Sequence, residues 1–313
     1  MNKMLIIYCF FTIFTCCNNN QKTADSLHVE HTLSADSLSS QVDKAIPKEV
    51  KVLMSVYPDQ IIDFDNNYLV FRDSSRLIFD DGKHKSVEEL LENPDVQDMF
   101  AYSYPKGKAE VPVKFQDPGR IRNDDFFKKM YGKTAAEVQK NLTTIVWCPK
   151  LVGQKLQIST INGVDKHLEA VSAELDEHPE WKDYLKSAGT FYWRVVKGSK
   201  GLSGHSFGIA IDLNTKYSHY WEWDCKCTSE NVELTYKNNI PQGIVDIFEK
   251  HGFIWGGKWY HYDTMHFEYR PELLSSGTDN KFLNKICIDS IIKFKIDTIH
   301  INNKITNNLL WGR

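Results

Sequence analysis

The segment Ser203–Asn214, SGHSFGIAIDLN, limits what this chain can fold into more than any other stretch. Phe207, Ile209, Ile211 and Leu213 alternate with Gly208, Ala210, Asp212 and Asn214, the pattern of a strand with one apolar face. Asp212 then projects from the other face, beside residues too small to block access to it. His205 has the wrong parity to join Asp212 on a straight strand. For the two to converge, a turn or bulge at Gly204 or Gly208 must re-aim the imidazole, and glycine is the residue such a kink favours.

A second dense segment, Trp259–Arg270, holds His261, Asp263, His266, Glu268 and Arg270. One imidazole from it, joined to His205 and Asp212, gives two nitrogens and one oxygen. That donor set leaves a fourth tetrahedral position open, as in catalytic zinc sites, and a further carboxylate can act as general base. Spacing alone does not choose between His261 and His266. A histidine near a strand is more often a hydrogen-bonded structural group than a ligand, and an aspartate beside asparagine is often a turn cap.

The remaining chain reads as a small α+β protein. Lys51–Val56 and Tyr68–Phe71 are strand-like runs, and Asp80–Lys83 is a turn signal. Ser86/Glu89 is a capping box that opens a helix toward Met99, and Thr134/Glu137 is another. Val164, Leu168, Val171 and Leu175 recur at helical spacing, predicting a helix over 163–178, and 241–251 predicts a second. The net charge of -3 excludes a global basic field for nucleic acid.

Residues 1–17 read as an address: one early lysine, a short apolar run from Leu5, then Thr15-Cys16-Cys17. The run is too short to span a membrane and has the size of a secretory h-region. A cut before Cys16 or Cys17 would create a lipid-acylated N-terminus; an ordinary secretory signal is the alternative. Residues 18–48 are polar and poor in aromatics, hence a disordered tether. Disulfides are permitted outside the cytoplasm. A Cys225–Cys227 bridge would be strained, which favours pairing of one of them with Cys148 or Cys287 over a mutual bridge or a Cys-x-Cys metal site, but the spacing does not fix the connectivity.

Three stretches together resemble the zinc D-alanyl-D-alanine carboxypeptidases of the VanY type. They are Gly189–Val196 with Trp193-Arg194, Ser203-x-His205-x-x-Gly208-x-Ala210-x-Asp212, and Asp263-Thr-Met-His266-Phe-Glu-Tyr-Arg-Pro271. That family shares a core with D-Ala-D-Ala dipeptidases, phage L-alanyl-D-glutamate endopeptidases and the hedgehog signalling domain. The resemblance covers residues 189–274, and Asp117–Asp124 fits extended members more weakly. It implies His205, Asp212 and His266 as Zn2+ ligands and Asp263 as general base. It also implies Arg194 at the substrate carbonyl or carboxylate and Ser203 in the substrate pocket; His261 has no assigned role and reads as a supporting group.

The expected architecture is α+β, a small antiparallel sheet bearing the zinc site with helices packed against it. The expected segments are an α/β extension at 49–109, a zinc peptidase domain at 110–275, and a tail of unassigned role at 276–313. The expected activity is hydrolysis of peptidoglycan stem peptides by a monomer tethered through a lipid anchor in the bacterial cell envelope, as carboxypeptidase or endopeptidase. A cell-wall-binding protein that keeps the fold without turnover is the competing class. Tyr217, Tyr220, Trp221 and Trp223 read as a substrate wall or as ordinary packing. Arg120 and Arg122 read as substrate contacts or as a solvated helix N-terminus.

Overall fold

The computed structural model describes residues 46–197 and 199–275. The leader with Cys16 and Cys17, nearly all of the tether, the 276–313 tail and Cys287 lie outside the described residues. Three small antiparallel sheets and eight α-helices alternate along the described chain, an α+β protein.

Helix α1 (Lys48–Val56) precedes a three-stranded meander, β1 (Ile61–Asp65), β2 (Tyr68–Phe71) and β3 (Arg76–Ile78). The expectation of a strand at Lys51–Val56 is therefore corrected. Val50, Leu53 and Tyr57 fall on one side at helical spacing and are buried, which outweighs the β-branched composition. The Ser86/Glu89 capping box forms and opens α2 (Val87–Glu92). That helix does not run to Met99, because Asn93 precedes Pro94 and is pushed out of the helical region. Met99 instead sits in a separate 3-10 turn, Gln97–Phe100.

Asn123 caps α3 (Asp124–Tyr131), and Thr134 caps α4 (Ala135–Lys140). A hairpin, β4 (Leu142–Trp147) and β5 (Gln154–Ser159), leads into α5 (Val164–Leu175). Val164, Leu168, Val171 and Leu175 are all fully buried, each worth about 1.5–3 kcal/mol relative to exposure. β6 (Ala210–Asp212) is followed by the short α6 (Trp221–Cys225) and by α7 (Gln242–Lys250). β7 (Phe253–Trp255), β8 (His266–Tyr269) and α8 (Pro271–Ser275) complete the described chain.

The sheet that matters for function has the order β6-β8-β7. Side chains alternate along β8. Phe267 faces α7, where Phe248 stacks on it at 3.9 Å, so His266 and Glu268 share the opposite face. The strand read over Phe207–Leu213 is shorter than its alternation suggests. Phe207 belongs to a 3-10 turn, and Ala210 is buried like Ile209 and Ile211, because this sheet is covered on both faces.

The cysteine expectation is corrected too. Cys225 and Cys227 are bonded to each other, with Cα atoms 5.2 Å apart, and Cys148 is a buried free thiol. Lys226 between them adopts a left-handed backbone (φ 56°), which folds the two sulfurs toward one another.

Candidate metal centre

Three donor atoms meet at one end of the β6-β8-β7 sheet. Asp212 on β6 lies directly opposite His266 on β8, and the neighbouring Leu213 N–H bonds to the Met265 carbonyl. This is the narrow antiparallel pairing in which facing side chains come closest. His205 joins from the 3-10 turn Gly204–Phe207, capped by Ser203 and closed by Gly208 at φ 65°. That left-handed closure is the kink the parity of His205 requires, and only glycine adopts it without cost.

His205 Nε2 lies 3.1 Å from Asp212 Oδ1 and 3.2 Å from His266 Nδ1, and the latter is 3.0 Å from Asp212 Oδ1. The edges of this triangle are close to the ~3.3 Å that ~2.0–2.1 Å bonds to a tetrahedral ion impose. The far nitrogens determine what the near ones present. His205 Nδ1 lies 2.6 Å from the Thr190 carbonyl, which can only accept, so Nδ1 donates and Nε2 turns a lone pair inward. His266 Nε2 lies 3.2 Å from the Glu268 carboxylate, so it donates there and Nδ1 presents its lone pair. Two lone pairs and an anionic oxygen thus converge with no proton among them, an arrangement that calls for a cation. The donor set of two imidazoles and one carboxylate fits zinc.

Without a metal, the same geometry takes up a proton. Burial opposes a charge on His266, but Asp212 and Glu268 outweigh it and lift its pKa to about 9. Asp212 is likewise held well below the usual carboxylate range, since His205 and His266 overcome its burial.

Asp263 stands one turn before the last donor, its carbonyl accepting from the His266 N–H at 3.2 Å. Its Oδ1 is buried without a hydrogen-bond partner among the described residues. In the metal-free protein, burial and the Asp212 charge raise this carboxyl to about 6, while His266, His205 and Arg194 pull the other way. Arg194 is thus within electrostatic reach of Asp263, and its exposed guanidinium bonds to no other described side chain. The Ser203 hydroxyl is buried and accepts from the His205 N–H at 3.4 Å.

Glu268 and Arg122 were not singled out from the sequence as parts of this centre. Arg122 is not a solvated helix end. It clamps the fully buried Glu268, with Nε 2.9 and 3.0 Å from the two carboxylate oxygens. Arg270 adds a 3.3 Å bond to Glu268 and also pairs with Glu272, which accepts from the Tyr57 hydroxyl at 2.6 Å. Burial alone would raise the Glu268 carboxyl; Arg122, His266 and Arg270 hold it well below its ordinary value. Gly204 makes room for this, since a Cβ there would stand 2.6 Å from Glu268 Oε2. The two-residue period along β8 could have pointed to Glu268, because it places His266 and Glu268 side by side.

His261 is not brought to the triangle. It accepts no metal role in a second acidic cluster, because Arg120 already fills it. Asp117 bonds His261 Nδ1 at 2.7 Å, and Arg120 bridges Asp117 and Glu230 at 2.9 Å each. Arg120, Arg122, Lys197 and Glu230 border a cavity of about 150 Å³. Among the aromatic residues that follow Asp212, Trp221 is buried against His261, Tyr217 packs on Tyr184, and Trp223 is exposed against Tyr220.

Residues 197–269 match the family model described as D-alanyl-D-alanine carboxypeptidase. No curated protein matches the chain. All three donors and Asp263 fall inside the matched segment, whereas Arg122, Thr190 and Arg194 lie before it.

Proposed function

We propose that this chain, which carries a segment of the D-alanyl-D-alanine carboxypeptidase family of peptidases, is a zinc-dependent hydrolase of peptidoglycan stem peptides, foremost a D-alanyl-D-alanine carboxypeptidase. The observation that carries the reading is the convergence of His205 Nε2, Asp212 Oδ1 and His266 Nδ1 beside the buried, unpartnered oxygen of Asp263.

Zinc held by His205, Asp212 and His266 would supply a Lewis acid and make water nucleophilic near neutral pH. Asp263 takes the proton released as water attacks the peptide carbonyl, then delivers it to the leaving amine nitrogen. Its buried, unpartnered carboxylate oxygen is placed to accept and return that proton. Arg194 places a free guanidinium where negative charge grows on the carbonyl oxygen or where a terminal carboxylate binds. Ser203 offers its hydroxyl proton to the bound peptide while its oxygen caps the turn that carries His205. The sequence of residues 1–17 supports export and acylation at Cys16 or Cys17, which would hold the domain as a monomer at the cell envelope, next to this substrate.

The test incubates the full chain with purified muropeptides, with zinc and with chelator, and reads the products by mass spectrometry. Zinc-dependent loss of a terminal D-alanine is the expected result, and cut crosslinks would assign an endopeptidase of the same family. Unchanged muropeptides with a zinc-loaded protein would contradict the peptidase reading and leave a binding protein.

A further inference from the structure

The turn that carries Asp263 is held by a short backbone pairing. Tyr220 and Asp263 form an antiparallel bridge, flanked by bonds from Trp221 N–H to the Tyr262 carbonyl and from Thr264 N–H to the His219 carbonyl, each 2.9 Å. With the hydrogen bonds on the flanking residues, Tyr220 and Asp263 are a non-hydrogen-bonded pair. Their side chains leave the backbone on the same face at the closest spacing antiparallel strands allow, Cα atoms about 4.5 Å apart. The register is further fixed by a bond from the His219 N–H to Thr264 Oγ1 at 2.7 Å.

A tyrosine reaches several ångströms farther from its backbone than an aspartate. A phenol rooted beside the Asp263 carboxylate can therefore reach with its hydroxyl beyond that carboxylate. The ring is steadied by Trp221 and Trp223, with centroids 6.1 and 5.4 Å away. Tyr220 is half-buried, and its hydroxyl makes no hydrogen bond to another described residue, which leaves it open to an incoming group. Burial, with Glu222 and Asp263 nearby, raises the phenol's pKa, so it keeps its proton and remains a donor throughout the working range. The neighbouring buried Asp263 oxygen also lacks a partner. The buried, unpartnered Asp263 oxygen, with the accessible phenol rooted beside it next to the metal triangle, marks the place where a ligand completes the hydrogen bonding.

We infer that Tyr220 is a further catalytic residue, donating a hydrogen bond from its hydroxyl to the bound peptide at the scissile amide, on the same side as Asp263. The inference rests on the peptidase reading above.

The test compares wild type with Tyr220→Phe, which keeps the ring and its packing. It measures zinc content, stability in urea, and kcat and KM on a D-alanyl-D-alanine-terminated stem peptide. The expected result is full zinc and unchanged stability with kcat lowered roughly 10- to 100-fold, as for loss of one transition-state donor. If wild type cleaves and Tyr220→Phe has a kcat within twofold of it, the inference falls while the peptidase reading stands. A variant that loses zinc overturns direct contact in favour of a structural part for Tyr220. Zinc-loaded wild type that does not cleave removes both.

Discussion

Arg122→Met tests how the candidate metal centre is supported from outside the matched segment. Glu268 is fully buried and receives three contacts from Arg122, two from Nε at 2.9 and 3.0 Å and one from Nη2 at 2.5 Å, against a single 3.3 Å contact from Arg270. Removing Arg122 leaves a buried carboxylate short of its principal counter-charge, a change that costs about 3–5 kcal/mol. The carboxylate would then shift toward Arg270 or take up a proton. Either response weakens the acceptor that keeps His266 Nδ1 available, and such supporting partners are worth roughly 10- to 100-fold in metal affinity. The double variant Arg122→Met/Glu268→Leu separates the two effects. It removes both buried charges, while Arg270 keeps its bond to Glu272, so stability returns toward wild type. Zinc affinity does not return, because the His266 Nε2–H has lost its acceptor. Urea unfolding at neutral pH reads the first quantity, and competition with a chromophoric zinc chelator reads the second. An Arg122→Met variant within 1 kcal/mol of wild type, or a double variant with wild-type zinc affinity, would refute the reasoning.

Asp117 makes an acid-dependent contribution. Burial opposes its charge, but Arg120 and His261 hold its carboxyl at about 2 instead of 3.8. A depressed acid stabilises the fold above its unfolded pKa and loses that contribution as pH falls through the folded value. Unfolding free energy should therefore drop by about 2 kcal/mol from this group between pH 4 and pH 2, and Asp117→Asn, less stable at pH 7, should lack that part of the slope. Gly204→Ala should displace Glu268, since the new Cβ would sit 2.6 Å from Oε2; a cost of about 1–3 kcal/mol with weakened zinc binding is expected, and wild-type values for both would contradict the packing. Reducing the Cys225–Cys227 bond releases only a very short loop, so Cys225→Ser/Cys227→Ser should cost under about 2 kcal/mol in urea unfolding.

Much of this arrangement is legible in the sequence where local rules and tertiary packing agree. The helices at Val164–Leu175 and Gln242–Lys250 follow from apolar spacing, and Ser86 and Thr134 cap where their hydroxyls can reach a backbone N–H three residues on. The segment around His205, Asp212 and His266 is legible as a set because each donor needs a particular neighbour: Gly208 for the turn, and Ala210 beside the site. Lys51–Val56 is misread because its valines favour a strand locally, while the core takes Val50, Leu53 and Tyr57 from one helical face. The Cys225–Cys227 pairing is missed because a left-handed lysine does not announce itself in sequence. Thr190 supports His205 through a backbone carbonyl, which any residue type could supply, so no motif records it. Arg122 meets Glu268 across 146 residues of chain, and only the fold brings them together.

The most direct test of the central claim is a zinc titration of activity. The chelator-stripped chain is reconstituted with increasing Zn2+, and D-alanine release from a stem pentapeptide is followed alongside Asp263→Asn and His205→Ala. Activity should rise linearly and saturate at one zinc per chain. Asp263→Asn should bind that zinc and remain nearly inactive, while His205→Ala should bind it poorly. Full turnover by the stripped protein, or by zinc-loaded Asp263→Asn, would contradict the account.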